Sequence, residues 1–331
     1  MGIHGDRSRI TLSGERADGL LPFFTEKTMS TVIYAIAPIF ALIFVGFGLR
    51  RINFPGDGFW PVSERLTYYV LFPGLLVHGV AGRPIQADSL PLSGGVLLAV
   101  LVVALLARLI WPLFKLDGPA YTSLFQGAFR PNTYIALSVA AALLGPDWMT
   151  LSAVAMMSMI PVVNIVCVLT LSRHGSGGGG GVRGVLKELA KNPLILACLA
   201  GLSINLLGLS LPRMLNDLLD ILGRAALPMG LLAAGAGLRF QMLDGCKRSL
   251  VASSVLHLFV LPLVAAGLVR IFGGDALAIQ TAVIFTAIPV SVSSFILARQ
   301  MGGDHRLMAQ IITFQTMISV VTLPMMLIVL T

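Results

Sequence analysis

Charge is scarce in this chain. Only 11% of its 331 residues are Asp, Glu, Lys or Arg, against about 25% in soluble domains. Cysteine is scarce too. Cys167, Cys198 and Cys246 stand far apart without metal-ligand spacing, so no disulfide framework and no zinc site is expected. No acidic residue lies deep in any apolar segment, whereas many proton-driven transporters carry an Asp or Glu there. The five histidines are scattered. Without paired ligands or a nucleophile beside a base at one depth, a membrane-embedded enzyme is a remote alternative. A phosphate loop is missing as well. Gly177 to Gly181 are consecutive glycines but lack the Gly-Lys-Ser/Thr ending, and they read as a flexible linker. An ATP-driven pump would need a partner subunit.

What the chain has in quantity is apolar sequence. It is 56% hydrophobic with a mean hydropathy of +0.89. Apolar runs of about 20 residues recur, as transmembrane helices require. Alternation of apolar and polar residues, the mark of barrel strands, is absent. The expected fold is an all-α polytopic membrane protein in contact with the lipid bilayer. Ten spans are expected, near 31–49, 62–81, 91–114, 121–145, 148–171, 192–210, 212–238, 247–272, 275–300 and 306–330. Residues 1–30 form a polar tail. Met29 is a plausible start, which makes an upstream start codon one reading of the tail and a disordered segment another. The Gly-rich linker 172–191 divides the chain into halves 31–171 and 192–331.

Basic residues give the orientation. Thirteen of them follow spans 1, 3, 5, 7 and 9: Arg50, Arg51, Arg65, Lys115, Arg173, Arg183, Lys187, Lys191, Arg239, Lys247, Arg248, Arg299 and Arg306. Three follow spans 2, 4, 6 and 8: Arg83, Arg213 and Arg270. The first set is expected in the cytoplasm and both termini outside. The net charge of +8 is thus an orientation signal, and no nucleic-acid partner is expected.

The halves repeat each other. Pro38 and Pro193, Gly46 and Gly201, and Pro73 and Pro228 are each 155 residues apart. Pro131 and Pro289 are 158 apart, and each is followed fourteen residues later by a glycine, Gly145 and Gly303. Five spans per repeat reverse the second copy, which predicts an inverted-topology pair with broken, crossing helices 4 and 9.

Arg130, Pro131 and Asn132 interrupt span 4 near its middle. Arg130 lies nine residues after Tyr121, about 14 Å along a helix. A charge near the midplane costs at least about 3 kcal/mol. Pro131 has no N–H, so the carbonyl of Gly127 loses its helical donor; Pro289 does the same to Phe285. In lipid such carbonyls need other partners or a wet cavity. The half-helix N-termini near Asn132–Tyr134 and Val290–Val292 are expected to offer free N–H groups and partial positive charge to an anion. The half-helix C-termini suit a cation, Na+ or H+. Arg130 adds a forked cation matched to a carboxylate.

Asn132, Thr133, Ser291, Ser293 and Ser294 are candidate orienting groups. For the hydroxyls, a bond back to the parent helix is the competing reading. Gln310 and Gln315 either face the site or join helices. Asp220 and Arg224 read as a local ion pair, with a gate as the alternative. His78 and His257 read as structural histidines before proton relays.

These motifs resemble a known family. Phe129-Arg-Pro-Asn-Thr-Tyr134 is similar to the crossover segment of the auxin efflux carriers. Lys191-Asn-Pro-Leu-Ile195, Leu227-Pro-Met-Gly-Leu-Leu232, Ala287-Ile-Pro289 and Thr322-Leu-Pro324 resemble further segments of it. The resemblance covers residues 31–330 and implies a ten-helix fold related to the bile-acid sodium symporters. Spans 1, 2, 6 and 7 would be a scaffold, through which a homodimer can form, and spans 3–5 and 8–10 a moving domain. Bacterial members are often described as permeases of malonate or other organic anions, and plant members export auxin. The short linker fits the bacterial type, hence the cytoplasmic (inner) membrane. The expected function is secondary transport of a small organic carboxylate without a resident cofactor. A sodium-coupled symporter, an exporter of auxin-like aromatic carboxylates, and a channel stand as alternatives. Plant carriers commonly read Asn-Pro where this chain has Pro131-Asn132, so their auxin contacts do not transfer.

Overall fold

The structure is a computed structural model. It describes residues 26–56, 58–81, 89–176, 192–239 and 247–331. Residues 1–25, most of the linker (177–191) and Cys246 lie outside the described residues, and so do the expectations that fall on them.

The described residues are helical throughout, with no strand among them. Helix α1 spans Glu26–Arg51, beginning five residues before the expected edge of the first span. Next come α2 (Phe59–Leu66), a π-helical turn (Thr67–Leu71) and α3 (Phe72–Ala81), which run on from one another. The first half continues with α4 (Ser89–Phe114), α5 (Gly118–Gly127), α6 (Thr133–Leu143) and α7 (Trp148–His174). The second half holds α8 (Pro193–Leu206), α9 (Arg213–Ala236) and α10 (Lys247–Val255). A second π-helical turn (Leu256–Val260) leads into α11 (Leu261–Ile271). The last elements are α12 (Ala276–Ala287), α13 (Ser293–Met301) and α14 (His305–Leu330).

Among the described residues six stretches are long and apolar enough to cross a membrane: Val32–Arg51, Ser89–Phe114, Gly145–His174, Arg213–Ala236, Arg248–Ile271 and His305–Leu330. Much of their outward surface is apolar, although Arg213, Asp217 and Arg224 are exposed on α9. Leu105, Leu109, Leu113, Met214 and Ile221 are exposed, a patchwork that water would penalise and lipid tails accept.

The helices pack in two groups. α1 lies along α9, α3 along α8, and α3 against α9. In the other group α4 packs on α7 and α11, while α12 packs on α11 and α14, and α5 sits against α7 and α14. Small residues set the approach in the first group. A Cβ on Gly46 would sit 2.1 Å from the Leu232 carbonyl oxygen, and one on Gly201 would sit 2.9 Å from the Val80 Cβ and meet the Val77 Cα at 3.4 Å. Gly46 and Gly201 are 155 apart, and so are Val77 and Leu232 (232 − 77). Matched residues therefore make matched contacts. The interrupted segments also start alike. Asp117 caps α5 by accepting from Ala120 N at 2.9 Å, and Asp275 caps α12 by accepting from Ala278 N at 2.7 Å. These aspartates are 158 apart (275 − 117), the offset of Pro131 and Pro289.

Candidate substrate site at a helix crossover

α5 stops at Gly127 and α6 starts at Thr133. α12 stops at Ala287 and α13 starts at Ser293. The extended residues between them meet as an isolated antiparallel bridge, Pro131 with Val290. Asn132 N donates to Pro289 O and Ser291 N donates to Arg130 O, both at 3.0 Å. Two breaks caused by missing proline donors thus satisfy part of each other's backbone.

The Gly127 carbonyl is not left open. Gln315 Nε2 of α14 donates to it at 2.8 Å, and His257 Nδ1 lies 2.9 Å from it. Gln315 Oε1 in turn accepts from Val290 N at 3.0 Å. One buried carboxamide therefore ties the first break to the second. Gln315 is fully buried, with both polar ends engaged, so its place is between helices rather than facing a substrate or an ion.

The expectation of free N–H groups at the half-helix N-termini holds only in part: Thr133 N and Val292 N have no described hydrogen bond, and the N–H groups around them are taken. Asn132 Oδ1 accepts from Tyr134 N at 3.1 Å and from Ile135 N at 3.4 Å, making Asn132 the cap of α6. Val290 N and Ser291 N are taken as described, and Ser293 N donates to Ser291 Oγ at 3.4 Å. The physical reason is general: a buried N–H without water must find a partner.

Arg130 is half-buried. Its Nη2 donates to Ser293 Oγ at 3.4 Å, and Ser293 Oγ pairs with Ser291 Oγ at 2.8 Å. Its Nη1 is buried with no hydrogen-bond partner. The Ser294 hydroxyl is likewise buried and unpartnered, whereas Thr133 is half-buried at the start of α6. The crossover thus joins the side chains of Arg130, Ser293 and Ser291, with Asn132, Thr133 and Ser294 on the same two chain segments. A guanidinium with an open N–H beside two hydroxyls can receive a carboxylate. Tyr134 borders this region, stacked on Phe72 of α3 with ring centroids 4.7 Å apart.

Other candidates lie elsewhere. Arg224 Nη2 and Asp220 Oδ2 are 2.5 Å apart within α9, with His78 Nε2 3.8 Å from Asp220 Oδ1. His78 Nδ1 also pairs with Asn216 Oδ1 at 3.0 Å. This cluster joins α3 to α9, and no hydrogen bond described links it to the crossover. Gln310 is half-buried on α14. Sequence reasoning overlooked Gln126, which is wholly buried with both carboxamide atoms unpartnered. An amide inside an apolar run beside the break was the available signal. His257, read as a structural histidine, lies at hydrogen-bond distance from the Gly127 carbonyl.

The chain is similar in sequence to known membrane transport proteins. Residues 182–327 match the family described as "Membrane transport protein". A Rhizobium meliloti (strain 1021) protein named "Putative malonate transporter" is 25% identical over 320 residues, covering 89% of this chain and 94% of its own length. An "Uncharacterized transporter" of Methanothermobacter thermautotrophicus is 24% identical over 297 residues, covering 88% of this chain and 95% of its own. The chain is thus similar, over most of its length, to proteins named as transporters, and its second half to the membrane transport family.

Proposed function

We propose that this protein is a secondary transporter that carries a small organic carboxylate across the cytoplasmic membrane by alternating access. The observation that carries the proposal is the buried, unpartnered Nη1 of Arg130 at the junction of two broken helices. A buried cation with an open donor is unfavourable alone and becomes favourable with an anionic guest. The name of the Rhizobium meliloti relative makes malonate the first substrate to try.

The finer architecture belongs to the same proposal. Ten spans arise when α2–α3, α5–α6, α8 and α12–α13 are counted with the six long stretches. The matched Gly46 and Gly201 contacts and the matched Asp117 and Asp275 caps support an inverted repeat. An inverted repeat gives two equivalent packings of one group against the other, the usual basis of alternating access. The group of α1, α3, α8 and α9 is then the scaffold. Both termini face outward in this reading.

The test is uptake of labelled malonate into proteoliposomes against a gradient, with wild type, Arg130→Lys and Arg130→Ala. Lysine keeps the charge and loses the fork, so affinity should fall clearly. Alanine should weaken binding by about 2–5 kcal/mol if the pair is desolvated. Wild-type affinity in Arg130→Ala, with and without sodium, would sink the site. Movement only down gradients under every ion condition would make the protein a channel.

A further inference from the structure

The histidine at the crossover has an unused side. His257 is fully buried, in the π-helical turn Leu256–Val260 that leads into α11. Its Nδ1 faces the Gly127 carbonyl at 2.9 Å. A carbonyl only accepts, so Nδ1 carries the proton and Nε2 is a bare lone pair. Nε2 is buried and has no partner. Single π-turns within α-helices are frequent at functional positions. Here the turn presents a proton acceptor whose other nitrogen holds the carbonyl freed by Pro131.

The charges around His257 are few. The π-turn packs against α4, α12 and α14, and the histidine itself bonds to α5. α12 contains no ionisable residue, and α14 contains none after Arg306. Arg108 of α4 is turned onto Trp111, 5.0 Å from the ring centroid. Tyr121 of α5 stacks on the same ring. On its own segment, Arg248 stands at the start and Arg270 bonds the Leu330 carbonyl at the far end. Arg130, three residues beyond Gly127, is the charged group of the break itself. No acidic side chain balances an imidazolium there.

We infer that His257 Nε2 takes up the proton that accompanies a dicarboxylate, so that one proton and one dianion enter the crossover together. The inference rests on the carboxylate reading of Arg130. One carboxylate pairs with the permanent guanidinium. The second needs another cation, and an imidazolium formed from His257 and a solvent proton supplies it. Without the anion, a second positive charge in this apolar surrounding is unfavourable. With it, both are neutralised, so the proton and the dianion each raise the other's affinity equally. Protonation also makes the Nδ1 bond to Gly127 charge-assisted and tightens the break.

Potassium malonate is added to the purified protein in weakly buffered detergent solution slightly above neutral pH, with a pH-indicator dye. Wild type should take up about one proton per malonate bound, and its Kd should rise roughly tenfold per pH unit. His257→Asn keeps an amide donor near the Nδ1 position and deletes Nε2. It should melt like wild type, bind without proton uptake and show a flat pH profile. Malonate binding by wild type without proton uptake overturns the inference and leaves the carboxylate site standing. So does equal uptake in His257→Asn. Absence of malonate binding in any condition overturns both. If His257→Asn fails to fold, the wild-type stoichiometry and pH slope still decide.

Discussion

Replacing Gln315 by leucine tests whether the two breaks are held as described. The fully buried carboxamide makes two hydrogen bonds, one from Val290 N and one to Gly127 O. Leucine leaves Val290 N buried without an acceptor, at about 1–3 kcal/mol. The lost bond to Gly127 O adds roughly 0.6–1.7 kcal/mol on the scale measured between membrane helices. The single variant should therefore lose about 2–5 kcal/mol. The Gly127 carbonyl keeps His257 as its remaining donor. In Gln315→Leu/His257→Phe that donor goes as well, and an unsatisfied carbonyl away from water costs several kcal/mol. The double loss should exceed the sum of the singles by about 1–3 kcal/mol. Reversible unfolding in mixed micelles, run as a four-way mutant cycle, measures both quantities. Strict additivity, or wild-type stability in Gln315→Leu, would refute the shared-acceptor argument.

Two further predictions concern other parts of the chain. Asn132→Ala removes the cap of α6 and should cost about 0.5–2 kcal/mol, while Asn132→Ser keeps most of the stability; thermal melting of both variants separates capping from substrate contact. The thirteen-to-three bias of basic residues predicts an outward C-terminus, so Thr331→Cys should react with an impermeant thiol reagent in intact cells, and protection until permeabilisation would reverse the topology.

The amino-acid sequence by itself determined the class of protein. Apolar runs of spanning length and few charges leave a helical membrane protein as the economical solution, because backbone polar groups in lipid must be satisfied within each segment. It also located the interruptions, since Pro131 and Pro289 lack an N–H wherever they are placed. The Asp220–Arg224 pair was legible for the same reason: residues four apart on a helix share a face. What each broken end then bonds to was not legible. The donors to Gly127 O stand 130 and 188 residues further along the chain, and one glutamine among several looks like another in sequence. Free N–H groups were expected at the half-helix starts, yet Asn132, Gln315 and Ser291 occupy several of them and leave Thr133 N and Val292 N without a described bond. Only the tertiary structure decides such partners, because they depend on which helix faces meet at one depth. The same holds for the Nη1 of Arg130 and the Nε2 of His257. A polar atom is known to lack a partner only once everything packed around it has been placed.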